Sequence, residues 1–445
     1  MRFIGVVLIC LFASSIQAQV SKAWCESEAV RVFEWFKADS FDAVYSRFDK
    51  TMKRQIQPDM LEGVWGQVTM SLGLASDHGE AVVEEMDSLF VTLLPIKLQK
   101  GKAQLKVTFD KTGLIAGLFI VPGQIPYSPP AWLNPEKIKE VKIDFGEPQF
   151  PNSGKLSMPA SGEPFACVII VPGSGGIDKD CSIGPNKIYK DIAWGLASKG
   201  IASFRYDKRT HDYLGQLVKN DQDGKEPFDI RTEYLQDLKE IVKKLAKRPE
   251  LNAKRIYILG HSQGGALIPL FNEELKGIAG FISMAGTLRP IPELAKEQVA
   301  YLSSFSKLSK EDSLKLEQLY RKFDNSMPGK IENLDKNEPI FEPYTHNYWK
   351  FLAKLDMPKM AVAIRKPMLF LQGERDYQVT MKDFELWKST LNGKSDCTLK
   401  TYPKLNHLFL TGRGEGPSDP NEYNRPENVS EEVILDLVNW LKSRP

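Results

Sequence analysis

Three residues at separate points of the chain could together carry out acyl transfer. Ser262 lies in Gly260-His261-Ser262-Gln263-Gly264, a Gly-x-Ser-x-Gly cluster that ends the apolar run starting at Ile256. A serine hydroxyl is a weak nucleophile until a base takes its proton, and the base must be held in the useful tautomer by an acid. His407, in Leu405-Asn406-His407, and Asp376, in Gly373-Glu374-Arg375-Asp376-Tyr377, supply those types, and the chain order Ser, Asp, His is one in which such trios occur. The reaction also needs N–H donors aimed at the oxyanion. The loop Val171-Pro172-Gly173-Ser174-Gly175-Gly176-Ile177-Asp178 is rich enough in glycine to converge backbone N–H groups on a small anion. The expected donors are Ser174, with Gly175 close behind, and Gln263 directly after the nucleophile; Gly173, Gly175, Asp178 and Arg205 are expected to support the loop. The same loop does not fit a dinucleotide fingerprint, whose third glycine is replaced by Asp178, and it lacks the Gly-Lys-Ser/Thr ending of a phosphate loop.

These groups need a scaffold that brings distant loops to one edge. Residues 165–171 are continuously apolar, as in a strand covered on both faces. Further short apolar runs follow at 201–206, from 256 into the elbow, and at 280–285, 367–371 and 398–402. They alternate with helical patterns at 187–199, in the segment carrying Thr232, Leu235, Leu238, Ile241, Val242 and Leu245, and at 430–443. Such alternation predicts an α/β fold, a mostly parallel sheet with helices on both faces, whose reactive groups gather beyond the C-terminal strand ends. Strands at 141–145 and 155–158 should form an antiparallel hairpin at one edge. Ser430 is offered as the cap of the last helix, with Val433, Ile434, Leu437, Val438 and Leu441 closing one side of the sheet.

At 445 residues there is room for two or three domains, and 59 basic against 57 acidic residues argue against nucleic acid or an anionic membrane as the main partner. Met1-Arg2, an apolar run to Ala13 and a small residue at Ala18 describe a signal peptide over 1–18, with Cys10 inside it, so export to the periplasm or beyond is expected. Cys25, Cys167, Cys181 and Cys397 then remain; export permits disulfides whose pairing the spacing leaves open, and Cys167 reads as a buried thiol. No Cys/His spacing suits a metal. No cofactor is expected.

Residues 19–122 read as a small α+β domain. Helical stripes run over 28–37 and 41–49, and over 58–72 with Met60, Leu61, Val64, Trp65 and Val68 turned inward; strands follow at 88–95, 103–110 and 115–121. Asp77 and His78 read as a solvated loop pair. This segment resembles the cone-shaped cystatin-like (NTF2-like) domains that precede some secreted bacterial hydrolases, for which substrate binding, cleft shaping and homodimer formation are all compatible roles. The proline-rich stretch 123–139 is the expected linker.

Residues 140–445 resemble the secreted bacterial branch of the α/β-hydrolase superfamily, among its carboxylesterases. The resemblance rests on Pro172-Gly173-Ser174-Gly175-Gly176-Ile177-Asp178-Lys179-Asp180, Phe204-Arg205-Tyr206-Asp207-Lys208-Arg209-Thr210, Gly260 to Gly265, Leu371 to Thr380 and Leu405-Asn406-His407. It implies hydrolysis of small-molecule carboxylic esters through an acyl-serine, without metal or organic cofactor. The family's Asp-Arg-Asp in the oxyanion loop is Asp178-Lys179-Asp180 here, which touches a structural ion pair more than the chemistry. Aminopeptidase, thioesterase and acyltransferase activities pass through the same intermediate, and an exported binding protein of the same shape is the non-enzymatic alternative. A dipeptidase would require a charged pocket for a free terminus.

Arg205, Asp207, Lys208 and Arg209 read first as an ion-pair network positioning the Ser174 loop. His261 reads as packing beside the elbow and His211 as a candidate for the rim. Residues 290–358 form a helical insertion with patterns at 291–305, 309–324 and 347–355, expected to be a cap; His346, with Tyr344, Tyr348 and Trp349, is expected to line a wall of it.

Overall fold

The computed structural model describes residues 20–86, 89–99, 101–122, 127–162, 164–305 and 308–444. The expected signal peptide, 1–18, lies outside them, as do positions 123–126 of the expected linker. The chain divides into two compact units, Met1–Pro126 and Tyr127–Pro445.

In the first unit, helices Lys22–Lys37, Phe41–Ser46, Lys50–Gln55 and Pro58–Leu72 are followed by an antiparallel sheet built on the long strands Leu89–Leu98, Gly101–Asp110 and Ile115–Pro122. Period-two burial along the central strands sends Leu94, Ile96, Leu105, Val107 and Phe109 to the helix face, where Phe33 and Phe36 meet them. Three expectations need correcting. The 41–49 stripe is broken at Arg47, with Asp49 capping a separate helix through Met52 N–H at 2.7 Å. Of the residues placed inward on Pro58–Leu72, Leu61 and Trp65 are buried, but Met60 is 51% and Val64 48% exposed, because one helix face meets the core and their side of it does not. Asp77 and His78 are not in a loop: they end the edge strand Ala75–His78, and the His78 ring meets Phe33 edge-on with centroids 5.8 Å apart. That strand and Val82–Met86 are too short and too polar to show a period.

The second unit holds an eight-stranded sheet. From one edge its strands are Cys397–Tyr402, Met368–Gly373, Gly280–Met284, Leu251–His261, Phe165–Val171, Ala202–Tyr206, Asn152–Pro159 and Ile138–Phe145. The first six are parallel; the last two form the expected antiparallel edge hairpin, with Val141 opposite Leu156. The sheet therefore begins inside the span assigned to the linker. Alternate residues feed two cores: Ile169, Val171, Ile258 and Phe370 pack toward Leu238 and Ile241 of helix Gln236–Leu245, while Val168, Ile170, Leu259 and Leu371 pack toward helix Ile188–Ser198 and the C-terminal helix Glu431–Lys442. The apolar positions expected on that last helix are buried, but Ser430 makes no side-chain cap; its N–H instead bonds Phe409 O at 3.1 Å.

The insertion between strands Gly280–Met284 and Met368–Gly373 carries helices Ile291–Ser303, Lys310–Asn325, His346–Ala353 and Met357–Ala363. Its base is tied down by Arg289, which makes two bonds to Asp383 at 2.8 and 2.9 Å and reaches Glu293 and Glu297 at 3.0 and 2.7 Å. Among the described residues Cys25, Cys167, Cys181 and Cys397 are free thiols; burial pushes the Cys167 thiol well up, as expected for an inert buried group. Among the described residues no helix is long and apolar enough to cross a membrane.

Candidate active site

The elbow is a backbone feature before it is a chemical one. Strand Leu251–His261 stops, Ser262 takes φ +53° and ψ −118°, and helix Gln263–Ala266 starts at once. A non-glycine residue held at such angles costs about 1–3 kcal/mol, which the surroundings must impose. They do so by close approach. A Cβ on Gly260 would sit 2.1 Å from Gly264 O, and one on Gly264 would sit 2.6 Å from Val171 O, so only hydrogen fits at either position. Ser262 N–H is fixed to Met284 O of the neighbouring strand at 2.9 Å. A Cβ on Gly173 would lie 3.1 Å from Ser262 Cβ, which puts the glycine-rich loop directly against the nucleophile.

His407 and Asp376 meet as expected: His407 Nδ1 lies 2.7 Å from Asp376 Oδ2, and both side chains are buried. The carboxylate is oriented from behind. Gln378 and Val379 N–H donate to Oδ1 at 2.7 and 2.9 Å, and Gln372 Nε2 donates to Oδ2 at 3.1 Å. The His407 loop is pinned by Asn406, whose Oδ1 accepts from Leu408 and Leu410 N–H at 3.0 and 3.2 Å. Among the described residues no hydrogen bond joins Ser262 Oγ to His407, a contact that commonly tightens only when substrate docks. Their neighbourhood is fixed through His261, whose ring lies 4.8 Å from the His407 ring and whose Nε2 donates to His407 O at 3.0 Å.

His261 therefore does more than fill space beside the elbow. Gly173 N–H donates to the Tyr189 hydroxyl at 3.2 Å, that hydroxyl lies 3.1 Å from His261 Nδ1, and His261 Nε2–H reaches His407. The chain links the glycine-rich loop to the base; with the imidazole neutral and its proton on Nε2, Nδ1 accepts from the Tyr189 hydroxyl. Burial, reinforced by the neighbouring His407, pushes the His261 pKa from 6.5 down to about 3. Between those values the unfolded chain binds the extra proton and the folded one does not. Stability that is whole above about pH 6.5 is thus lost as pH falls toward 3, at up to about 1.4 kcal/mol per pKa unit. Melting temperatures between pH 6 and 4 should consequently fall less steeply in His261→Asn than in the unaltered protein; equal slopes would remove His261 as a source of acid sensitivity.

The glycine-rich loop presents its N–H groups unequally. Gly173 N–H is taken by Tyr189, and Gly175 N–H donates to the Tyr344 hydroxyl at 3.2 Å. Among the described residues Ser174 N–H and Gln263 N–H have no protein acceptor, which favours Ser174 over Gly175 as the first donor. Arg205 supports the loop from below: wholly buried, it bonds Asp180 at 2.9 Å and Glu140 at 2.7 Å. Burial alone would raise the Glu140 carboxyl; the Arg205 charge, with hydrogen bonds from Ser157 and Trp194, outweighs it and brings the group to about 2. Asp178 does not join Arg205. It turns to Ser182, accepting from N–H and Oγ at 2.7 and 2.8 Å, while Lys179 pairs with Asp207 at 2.7 Å. Arg209 is held by Asp237, and Lys208 Nζ donates to Gly173 O at 2.8 Å.

Tyr344, Tyr348 and Trp349 cluster, the two tyrosine rings stacked 4.3 Å apart, but of the three only Trp349 lines the cavity under the cap, the tyrosine hydroxyls turning to Gly175 and Gln263. His346 stays at the partly exposed start of its helix, and His211, which is exposed, pairs with Asp212 at 2.7 Å beside a cavity of about 240 Å³ lined by Gly176, Asp178 and Ser182. A second cavity, of about 280 Å³, lies between the elbow helices and the cap, walled by Ala266, Leu267, Leu288, Pro292, Trp349 and Met357. Gln263 is on its wall and Ser262 is not. Among the described residues no group of three or more His, Cys, Asp or Glu is arranged to hold a metal ion.

Sequence periodicity did not reveal Tyr189, Glu233 and Tyr234, which surround the loop from beneath, and it placed Tyr348 on the cap without its contacts to Gln263 and Glu233. Glu233 and Tyr234 escape it because residues 231–235 form a π turn in which Thr232, Glu233, Tyr234 and Leu235 are all buried in succession.

Residues 163–413 match the family described as serine aminopeptidase, S33, and residues 29–118 match a family described as protein of unknown function (DUF3887). Esterase EstD of Thermotoga maritima is 32% identical over 423 residues, spanning 94% of this chain and 95% of that protein. Among solved structures, Est1E from Butyrivibrio proteoclasticus is 16% identical, covering 68% of this chain and 99% of its own, with a TM-score of 0.44. The Pyrococcus furiosus esterase Pf2001 is 16% identical, covering 72% and 99%, with a TM-score of 0.42.

Proposed function

Because the chain belongs to the serine aminopeptidase S33 family of α/β-hydrolases and is a carboxylesterase-like hydrolase, we propose that it cleaves small carboxylic esters through an acyl-enzyme on Ser262. The observation that carries this is the strained Ser262 elbow packed against the glycine-rich loop, with the Asp376–His407 pair linked to it through His261. His407 Nε2 takes the hydroxyl proton as Ser262 Oγ attacks the carbonyl carbon. The oxyanion accepts hydrogen bonds from Ser174 and Gln263 N–H, and the imidazolium, stabilised by Asp376, protonates the leaving alcohol as its C–O bond breaks. Water then attacks the acyl-serine by the same route, releasing the acid and returning the proton to Ser262.

An ester is favoured over a peptide by the cavity under the cap. Its walls are mainly apolar, and among the described residues their one basic group, Arg289, is already engaged by Asp383, Glu293 and Glu297, which leaves no spare cation for a terminal carboxylate; a terminal ammonium would have only Asp356, at the exposed margin. A cavity of about 280 Å³ suits a compact acyl group. Turnover should be measured with p-nitrophenyl esters of increasing acyl length, a thioester and an aminoacyl amide, each with and without added alcohol. The expected outcome is fastest turnover on short esters with the free acid as product. Faster amide cleavage would favour a peptidase, and product partition to the alcohol a transferase.

A further inference from the structure

Beneath the two expected oxyanion donors lies a buried polar cluster that the triad does not use. Lys208 and Glu233, neither exposed, pair at 2.7 Å, and Lys208 Nζ also donates to Gly173 O at 2.8 Å. The Tyr234 hydroxyl shares its proton between Gly173 O at 2.8 Å and Gln263 Oε1 at 3.0 Å. On its other side Gln263 donates from Nε2 to the Tyr348 hydroxyl at 2.9 Å, and Tyr348 donates to Glu233 Oε2 at 2.6 Å. Tyr348 belongs to helix His346–Ala353 of the cap, and the neighbouring cap residue Tyr344 accepts Gly175 N–H.

Two features make this more than core filling. Gly173 C=O and Ser174 N–H belong to one planar peptide group, so an ammonium bonded to the carbonyl oxygen polarises that group, strengthens its N–H as a donor and fixes its orientation. A fully buried ion pair, moreover, is seldom better for stability than an apolar pair of the same volume. The Lys208–Glu233 pair holds the Gly173 carbonyl on one side and, through the Tyr348 hydroxyl, the Gln263 side chain on the other.

We propose that Tyr348 and Lys208 are positioning residues for the oxyanion hole, through which the cap and the sheet together hold Gln263 and the Gly173–Ser174 peptide in place. This rests on the acyl-serine reading above. The cap is then part of the machinery that stabilises the transition state as well as a wall for the acyl group, and loss of the Tyr348 hydroxyl contact is transmitted to kcat.

The test is Tyr348→Phe, which keeps the ring stacked on Tyr344 and removes only the hydroxyl bridging Gln263 and Glu233. Its kcat on a good ester should fall about tenfold or more, short of the ~100-fold or greater cost of deleting a donor outright. KM should stay within about twofold. Affinity for a trifluoromethyl ketone, which forms a tetrahedral oxyanion on the serine, should fall by the same factor as kcat. Phe351→Leu, on the same helix but in contact with Arg231, serves as the packing control and should lower the melting temperature without lowering kcat. Unchanged kcat and ketone affinity in folded Tyr348→Phe overturn the proposal, as does a loss confined to KM. If Tyr348→Phe does not fold, Lys208→Met, which removes the ammonium bonded to Gly173 O, takes the same measurements with the same criteria. Ser262→Ala assayed in parallel separates the two levels: full turnover there defeats the acyl-serine reading, whereas its loss beside an unaffected Tyr348→Phe defeats the positioning role alone.

Discussion

Ser262→Ala should lower ester turnover by about 10⁶-fold, to the level of residual binding and electrostatic catalysis, while the protein stays folded. The fold tolerates the change because the elbow is imposed from outside the side chain. Gly260, Gly264 and the Val171 and Pro172 carbonyls enforce the turn by close approach, Met284 O holds the backbone N–H, and alanine keeps the Cβ that already fits against Gly173. The hydroxyl is the one thing lost. Circular dichroism and melting temperature should match the parent protein, and pre-steady-state bursts of p-nitrophenol should vanish with the turnover. Wild-type turnover in the variant would remove Ser262 from the chemistry.

Asp376→Asn should lower kcat by about 10⁴-fold with little change in KM. The reason lies in the donors around the carboxylate. Gln378 and Val379 N–H both point at Oδ1, so the carboxamide oxygen of an asparagine must occupy that place. Its NH₂ then faces His407 Nδ1, which sits 2.7 Å from Oδ2 in the parent protein. Nδ1 is forced to accept, the ring proton moves to Nε2, and the nitrogen that should take the Ser262 proton is already protonated. Asp376→Ala, which imposes no tautomer but leaves Gln378 and Val379 N–H unpaired, should be measured beside it: a higher kcat in Ala than in Asn would identify the tautomer as the cause. A kcat within tenfold of the parent in Asp376→Asn would show that Asp376 does not orient the base.

The elements that position the site were legible because each leaves a strong local pattern. Residues 165–171 are apolar at every position since the strand is covered on both faces, and Gly260 and Gly264 stand where any Cβ would strike a backbone oxygen. Ser262, Asp376 and His407 were identified because each lies just beyond an apolar run. What stayed hidden depends on contacts between distant segments. Tyr348 reads in the sequence as one more aromatic on a cap helix, and nothing local shows that its hydroxyl meets Glu233, 115 positions away. Lys208 reads as part of an ion-pair network positioning the Ser174 loop, but nothing local shows that its partner is Glu233 or that the pair is fully buried beneath Gly173. Asp178 was expected to support the oxyanion loop, but the turn at 178–182 gives its carboxylate nearer donors in Ser182. Met60 and Val64 fit a helical stripe, and only the packing decides how wide a stripe the sheet covers.

The central claim, that Ser262 becomes acylated, is tested most directly by treating the full chain with a fluorophosphonate and mapping the product by intact mass and peptide sequencing. The expected result is one adduct per chain, on Ser262, absent from Ser262→Ala and formed far more slowly in His407→Ala. Folded, ester-cleaving protein that takes no adduct, or carries it on another residue, would contradict the account.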